Sequence, residues 1–172
     1  MIKLKLHPGS LPEGMRPWHP IALIATWGGS GLMPFAPGTW GSLAALPFGV
    51  LIVDQAGVAG LLGATLAVTL AGAWAAGEIV TRGRRRDPGL VVIDEVAGMW
   101  LALAFVPLTW WGVWTAFLLF RIADILKPFP ARWIDERVHG GLGVMLDDLV
   151  AGLYAGIASW AACRFVLAPV FA

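Results

Sequence analysis

Residues 96–120 form the apolar stretch that decides the fold, and they read VAGMWLALAFVPLTWWGVWTAFLLF. The stretch carries no charged side chain, and one continuous helix of this length would cross a bilayer. Pro107 lies at its centre, and a proline inside a helix removes a backbone hydrogen bond and clashes with the preceding turn. We therefore predict a hairpin of two helices, about 95–106 and 111–126, in preference to a single kinked span.

A second reversal is predicted earlier in the chain. The polar, glycine-containing sequence Asp54-Gln55-Ala56-Gly57 separates a helix predicted at 42–53 from another at 57–77. A helix of twelve residues rises only about 18 Å, less than the roughly 30 Å of a hydrocarbon core. We therefore expect some helices to be partly immersed in the membrane or covered by their neighbours.

The two hairpins place the charged segments at one end of the molecule. Segments 1–42, 78–95 and 121–148 carry 11 of the 12 basic residues and 10 of the 11 acidic residues. A single span at 96–120 would instead put the flanking arginine clusters on opposite sides of the membrane, against the positive-inside tendency. We predict that the charged end faces the cytoplasm.

The composition supports a membrane protein with one domain. Of the 172 residues 58% are hydrophobic and 13% are charged, too few charges to cover a water-soluble surface, and ten tryptophans suit a lipid interface. The net charge of +1 gives no reason to expect nucleic acid as a partner. The expected fold is an all-α, membrane-associated bundle of about six helices over 1–172. Residues 1–17 are predicted to form a polar arm, because they lack the apolar run of a secretory signal.

The first motif that could carry chemistry is the glycine-rich segment 28–42. Its glycines let a backbone approach a ligand closely, and Thr39 and Ser42 offer hydroxyls and possible helix caps. Free N–H groups at the start of the following helix could bind phosphate. A plain turn between helices is the alternative, and no Walker motif is present.

Paired acids occur at two further places, Asp94-Glu95 and Asp147-Asp148, and each pair is predicted to open an apolar helix. Carboxylates beside an apolar helix are costly unless they are solvated, paired or bound to a cation. Capping of the helix N-terminus is the alternative interpretation, and it explains one acid of each pair better than two.

A third group lies at Arg121, Asp124 and Lys127, whose spacing projects all three from nearly one helix face. Pro128 is predicted to end that helix. A surface ladder of ion pairs is the alternative, but the flanking isoleucines and leucine are apolar, so the charged face must look into something polar.

The predicted topology brings these motifs together. Five acids would then meet two cations and the glycine segment; the acids are Asp94, Glu95, Asp124, Asp147 and Asp148. So many carboxylates cannot share a small site unless they protonate or bind a metal, and carboxylates without His or Cys suit Mg²⁺ before Zn²⁺. Arg121, Lys127 and the glycine segment would supply a complementary phosphate site. A phosphorylated lipid is the natural substrate of such a centre beside a membrane.

Other chemistries have less support. Cys163 is the only cysteine, so an intramolecular disulfide and a Cys-rich zinc site are excluded, and we expect this thiol to pack in an apolar helix. His139 could act as an acid or base, but a surface role is the simpler interpretation. The arginine cluster 82–86 is predicted to contact anionic lipid headgroups.

Four ordered segments resemble the bacterial phosphatidylglycerophosphatase A family: GSGLMPFAPGTWGS (29–42), VIDEVAGMW (92–100), FRIADILKPFP (120–130) and HGGLGVMLDDLVAG (139–152). The resemblance extends over about residues 18–160. It implies a magnesium-dependent membrane enzyme with an all-helical bundle, which removes the terminal phosphate of phosphatidylglycerophosphate to give phosphatidylglycerol.

The resemblance and the motifs together suggest roles for individual residues. Metal ligands are expected among Asp94, Glu95, Asp124, Asp147 and Asp148. The residues expected to act on the phosphoryl group or to bind phosphate are Pro37, Gly38, Thr39, Ser42, Arg121 and Lys127. The residues expected to take part in catalysis are Asp94, Glu95, Asp124, Lys127 and Asp148, and both direct attack by water and an aspartyl-phosphate intermediate fit this set. The alternative function is a CDP-alcohol phosphotransferase, although the Asp-x-x-Asp-Gly-x-x-Ala-Arg pattern of that class is absent.

Overall fold

The computed structural model describes residues 10–83 and 89–167. The regular elements of these residues are all helical, which confirms the predicted fold class. A short 3-10 turn (Ser30–Leu32) and a π-helical turn (Cys163–Leu167) accompany six α-helices: α1 Pro20–Ala25, α2 Pro37–Gly83, α3 Ile93–Leu103, α4 Trp110–Leu126, α5 Ala131–Arg137 and α6 Gly140–Ala162.

Helix α2 consists of two arms, 37–56 and 58–83, that meet at Gly57. This glycine has φ 68° and ψ −176°, a conformation that side-chain-bearing residues avoid. Contacts with the start of α3 show that the arms fold back on each other. A methyl group at Gly41 would lie 2.7 Å from Cβ of Val92, and one at Gly72 would lie 3.0 Å from Cγ2 of Ile93.

The reversal lies where the sequence predicts it, but the bounds of the first helix differ. Residues 54–56 remain helical and only Gly57 departs from helical geometry. The first arm begins at Pro37 rather than at residue 42, and it therefore reaches about 30 Å, long enough to cross a hydrocarbon core. The segment 37–42, predicted as part of a glycine-rich loop, is the first turn and a half of α2.

The central apolar stretch also forms a hairpin. Helix α3 ends at Leu103, α4 begins at Trp110, and Pro107 lies in the connection between them. Thr109 caps α4 by accepting a hydrogen bond from the backbone N–H of Gly112 at 3.2 Å. The two helices pack directly, since a methyl group at Gly98 would lie 2.5 Å from Cε2 of Phe120.

Helix α3 is the buried centre of the bundle, and α2, α4 and α6 pack around it. Ten of its 11 residues are buried. The helix is about 16 Å long, too short to cross a bilayer, so its neighbours rather than lipid cover its apolar side chains. The indole N–H of Trp100 donates to the carbonyl oxygen of Ala45 at 2.9 Å and ties α3 to the first arm of α2.

We expect Trp100→Phe to lower the free energy of unfolding by about 1–3 kcal/mol, because the buried hydrogen bond is lost and a smaller ring leaves a cavity. Thermal unfolding of detergent-solubilised protein measures the change. Trp74→Phe is the matched control, because Trp74 is 55% exposed on the outside of α2. Equal thermal midpoints for the two variants would contradict the role assigned to this hydrogen bond.

Two helical segments among the described residues are long and apolar enough to cross a membrane: Pro37–Gly83 and Gly140–Val166. Large apolar side chains lie exposed along the second arm of α2, among them Leu66 and Leu70 at 61% and 65%. An apolar outer surface of this kind is typical of a protein that lies against lipid. Both observations agree with membrane association.

Candidate metal and phosphate site

Three buried carboxylates from two helices form the centre of the candidate site. The first turn of α3 supplies Asp94 and Glu95, which are 2% and 1% exposed, and α6 supplies Asp148, which is 2% exposed. Each offers one oxygen atom, and these atoms lie within 4.8 Å of one another. We call these residues the carboxylate triad.

None of the four acids is the N-cap residue of its helix, although Asp94 and Glu95 lie in the first turn of α3. The residue that caps α3 is Val92, with no hydrogen bond from a side chain, and Asp94 and Glu95 are directed into the protein interior. Helix α6 begins at Gly140, so the predicted placement of Asp147 and Asp148 at a helix start is wrong. They lie two turns inside α6, where an uncompensated carboxylate is costly.

The electrostatics of the triad favour a bound cation. Burial, followed by the negative charge of four other acids, disfavours the ionised carboxylate of Asp148; these acids are Asp124, Asp94, Asp147 and Glu95. Its Oδ2 atom is buried and accepts no hydrogen bond. Oxygen donors from carboxylates, without His or Cys, are the ligands that hard divalent cations prefer. The residues present therefore fit a divalent metal ion.

Arg121 links α4 to the start of α2 beside the triad. Its Nη1 atom lies 2.8 Å from Oδ2 of Asp124, one turn later on α4, and 3.2 Å from Oγ of Ser42 on α2. The Nε atom is buried and has no hydrogen-bond partner. Asp124 is thus engaged in an ion pair, and Arg121 retains a donor that a phosphoryl oxygen could use.

Lys127 lies beyond the last turn of α4 and not on the helical face predicted for it. It is the C-cap residue, in the left-handed conformation with φ 44°. Its ammonium group pairs with Asp147 of α6 and lies 3.2 Å from Oδ1 of Asp135 of α5. Asp147 is therefore held by a cation beside the triad. Sequence reasoning missed Asp135, since its neighbours in the polar sequence ARWIDER are typical of a surface helix.

The N-terminus of α2 completes this end of the bundle. A methyl group at Gly38 would lie 3.1 Å from Cδ of Glu95 and 3.2 Å from Nη2 of Arg121, so this turn lies directly against both side chains. Pro37 occupies the first helical position and Thr39 the third. Ser42 lies inside the helix and donates to the carbonyl oxygen of Gly38 at 2.9 Å. Thr39 and Ser42 are therefore not helix caps, contrary to one of the possibilities considered above.

Several other residues singled out in the sequence lie away from this centre. His139 is exposed at the start of α6. Cys163 is buried in the π-helical turn at the opposite end of α6, as expected of a packing residue. In the arginine cluster 82–86, Arg82 pairs with Glu78 at 2.9 Å, and residues 84–86 lie outside the described residues.

Comparison with known proteins points to one family. The family model for phosphatidylglycerophosphatase A matches residues 23–163. A protein of that name from Haemophilus influenzae is 42% identical over 144 residues, which cover 83% of this chain and 88% of the relative. Another protein of that name, from Escherichia coli, is 44% identical over 147 residues, which cover 82% of this chain and 81% of the relative.

A third relative carries a different name. A Bacteroides thetaiotaomicron protein, provisionally named as a phosphatidylinositol-3-phosphatase, is 42% identical over 155 residues, covering 83% of this chain and 92% of the relative. No solved structure shows a significant match. The match of the family model to most of the chain, together with the first two relatives, shows that the chain belongs to the phosphatidylglycerophosphatase A family.

Proposed function

We propose that this protein is a Mg²⁺-dependent phosphatase that hydrolyses the terminal phosphomonoester of phosphatidylglycerophosphate, releasing phosphatidylglycerol and inorganic phosphate. The observation that carries the proposal is the carboxylate triad, which offers three oxygen atoms within 4.8 Å of one another. Its member Glu95 lies against Gly38 at the start of α2, where Arg121 also approaches. The names of two relatives specify the substrate. The name of the third favours a second candidate substrate, phosphatidylinositol 3-phosphate.

Asp94, Glu95 and Asp148 would hold the cation in this proposal. Magnesium usually binds through a few carboxylates together with phosphate oxygens of the substrate, which suits a triad that provides only part of a coordination shell. When bound, the cation supplies polarisation of the phosphoryl group and activation of water. Asp124 and Asp147, which pair with Arg121 and Lys127, would then act on the site through these cations rather than as ligands.

The other residues would bind the phosphate and stabilise the charge that develops on it. Arg121 approaches the site with a buried Nε–H donor and is fixed by Asp124 and Ser42. Preorganised donors of this kind lower the barrier most when they point at developing charge in a water-poor site. Pro37, Gly38 and Thr39 lie at the N-terminus of α2, where the positive end of the helix dipole favours an anion. Lys127 would add positive charge at the rim.

Hydrolysis breaks the bond between phosphorus and the glycerol oxygen and forms a bond between phosphorus and the oxygen of water. The proton released from water ends on the glycerol hydroxyl of the product. A carboxylate of the site is suited to accept that proton first, since general bases act within hydrogen-bond reach of the water. We place this chemistry at the cytoplasmic face of the inner membrane. The site end carries six of the seven basic residues that the structure describes, namely Arg16, Arg82, Arg121, Lys127, Arg132 and Arg137.

The test is phosphate release by detergent-solubilised protein from phosphatidylglycerophosphate and from phosphatidylinositol 3-phosphate. We expect release from the first substrate that depends on added Mg²⁺ and stops with a chelator. Readdition of Mg²⁺ should restore the activity, because the chelator removes the cation but leaves the carboxylates that would bind it unchanged. Measurement of the second substrate under the same conditions gives the preference between the two lipids.

Two outcomes would overturn the proposal. Phosphate release that is unchanged after exhaustive chelation would remove the metal from the mechanism. Product formation that requires a CDP-lipid, without release of inorganic phosphate, would assign the protein to the phosphotransferase class instead.

A further inference from the structure

Helices α3 and α6 cross with their backbones in close contact beside the candidate site. At Gly152 a methyl group would overlap the carbonyl oxygen of Gly98 and lie 2.9 Å from both its carbonyl carbon and Cα. At Gly98 a methyl group would lie 2.5 Å from the carbonyl oxygen of Asp148. These obstacles are backbone atoms, which cannot rotate away, so neither position tolerates a side chain without separation of the helices.

The crossing lies one helical turn from the carboxylates that face each other. Asp94 precedes Gly98 by four residues, and Asp148 precedes Gly152 by four residues. Residues four apart share a helix face, so each glycine lies on the same side of its helix as the aspartate one turn earlier. The contact between the glycines therefore sets the distance between the two aspartates.

We propose that Gly98 and Gly152 are positioning residues of the metal site, which set the spacing of the triad by allowing α3 and α6 to touch. The inference rests on the proposed function, because it assumes that the triad binds a divalent cation. An aspartate side chain is short, with its carboxyl group one methylene from Cα, so it cannot compensate for helices that move apart. Small residues at helix crossings permit this close packing in membrane proteins.

The experiment measures binding of Mn²⁺, a paramagnetic probe for the site, to full-length solubilised protein by electron paramagnetic resonance, without substrate. We expect Gly152→Ala to weaken Mn²⁺ binding about tenfold to 100-fold, the range found when residues that support metal ligands are changed. The matched control is Gly156→Ala, one turn later on α6, where a methyl group would press on the ring of Phe105, 2.5 Å away. This control should bind Mn²⁺ within about twofold of the wild type, although it also disturbs the packing of α6.

Thermal unfolding without metal separates positioning from general stability. Lower Mn²⁺ affinity in Gly152→Ala at a midpoint similar to that of Gly156→Ala supports the proposal. Wild-type affinity in Gly152→Ala, or an equal loss in both variants, overturns it. If Gly152→Ala does not fold, Gly98→Ala combined with Phe120→Leu should show the same loss. Failure of both to fold, while Gly156→Ala folds, would assign the crossing to folding alone and overturn the proposal.

The controls also distinguish a failure of the proposed function from a failure of the role assigned to the helix crossing. A wild-type protein that binds no Mn²⁺ and shows no metal-dependent phosphate release would refute the proposed function itself. A wild-type protein that does both, alongside a Gly152→Ala variant with unchanged affinity, would refute only the role of the crossing.

Discussion

Asp148→Asn is expected to lower kcat/KM for phosphate release by about 10²-fold to 10³-fold, the scale of losing one preorganised electrostatic group in an active site. Asp148 is the only member of the triad on α6, and its Oδ2 atom is buried without a hydrogen bond from the protein. An amide at this position keeps the shape of the side chain but removes the charge that would hold a divalent cation. Steady-state phosphate release over a range of Mg²⁺ concentrations measures the loss.

The same variant should be more stable than the wild type when no metal is present. Four acids repel the charge of Asp148 in a buried environment, so its removal relieves repulsion as well as the cost of desolvation. The metal-free protein is therefore expected to unfold at a higher temperature, while the stabilisation by added Mg²⁺ is lost. A gain in stability together with a loss of activity is not what simple misfolding produces.

Asp54→Asn is the control for this comparison. Asp54 is exposed near the reversal of α2, where the neighbouring Gln55 donates to its carboxylate at 2.7 Å. The substitution is chemically identical but lies at the far end of the bundle, so both activity and Mg²⁺ stabilisation should match the wild type. Activity of Asp148→Asn within about threefold of the control would remove Asp148 from the mechanism.

The reversals of the chain could be predicted because local chemistry determines them. A proline inside a helix removes a backbone hydrogen bond, and glycine readily adopts the conformation found at residue 57. Pro107 and Gly57 therefore indicate the turns of the two hairpins, although Pro47 is accommodated inside the first arm of α2. Once both reversals are placed, the remaining polar segments must meet at one end. The meeting of Asp94, Glu95 and Asp148 follows from topology rather than from any single motif.

The starts of α2 and α6 could not be predicted, because packing overrides helix propensity there. Glycine disfavours helices by about 1 kcal/mol relative to alanine, so the segments around Gly38 and Gly141 are typical of loops. In the folded protein these positions are helical, because the absence of a side chain lets a neighbouring group pack directly against the helix. At Gly141 a methyl group would overlap the backbone of Ala73, and at Gly38 it would overlap Glu95.

The sequence predicted that acids and cations would meet, but not that Lys127 would pair with Asp147 and Asp135. Lys127 and Asp147 are 20 residues apart, and Asp135 approaches them only because α5 packs against α6. The spacing of Arg121, Asp124 and Lys127 on a regular helix suggested one shared face. Lys127 leaves that face because the helix ends at Leu126 and the backbone turns into the left-handed conformation.

Gly38→Ala is expected to lower phosphate release by about 10²-fold while the fold is preserved. The added methyl group would overlap Oε1 of Glu95 and lie 3.2 Å from Nη2 of Arg121. Both obstacles are the ends of flexible side chains, so the protein can accommodate the methyl group by moving them. That movement displaces a member of the triad and the arginine proposed to bind phosphate, and a displacement of about 1 Å in an active site can cost 10²-fold in rate.

Stability should change in the opposite direction to activity, since alanine is the better helix former by about 1 kcal/mol and position 38 lies in the first turn of α2. Gly63→Ala is the matched control, because position 63 is exposed on the second arm of α2 and a methyl group there meets no atom within 4 Å. The control carries the same gain in helix propensity and should retain wild-type activity. Phosphate release and thermal midpoints of the two variants show whether the methyl group at position 38 disturbs the site or only stabilises the helix. If Gly38→Ala were as active as Gly63→Ala, the contact of α2 with Glu95 and Arg121 would have no part in the reaction, and the phosphate site would have to be sought elsewhere on the charged end of the bundle.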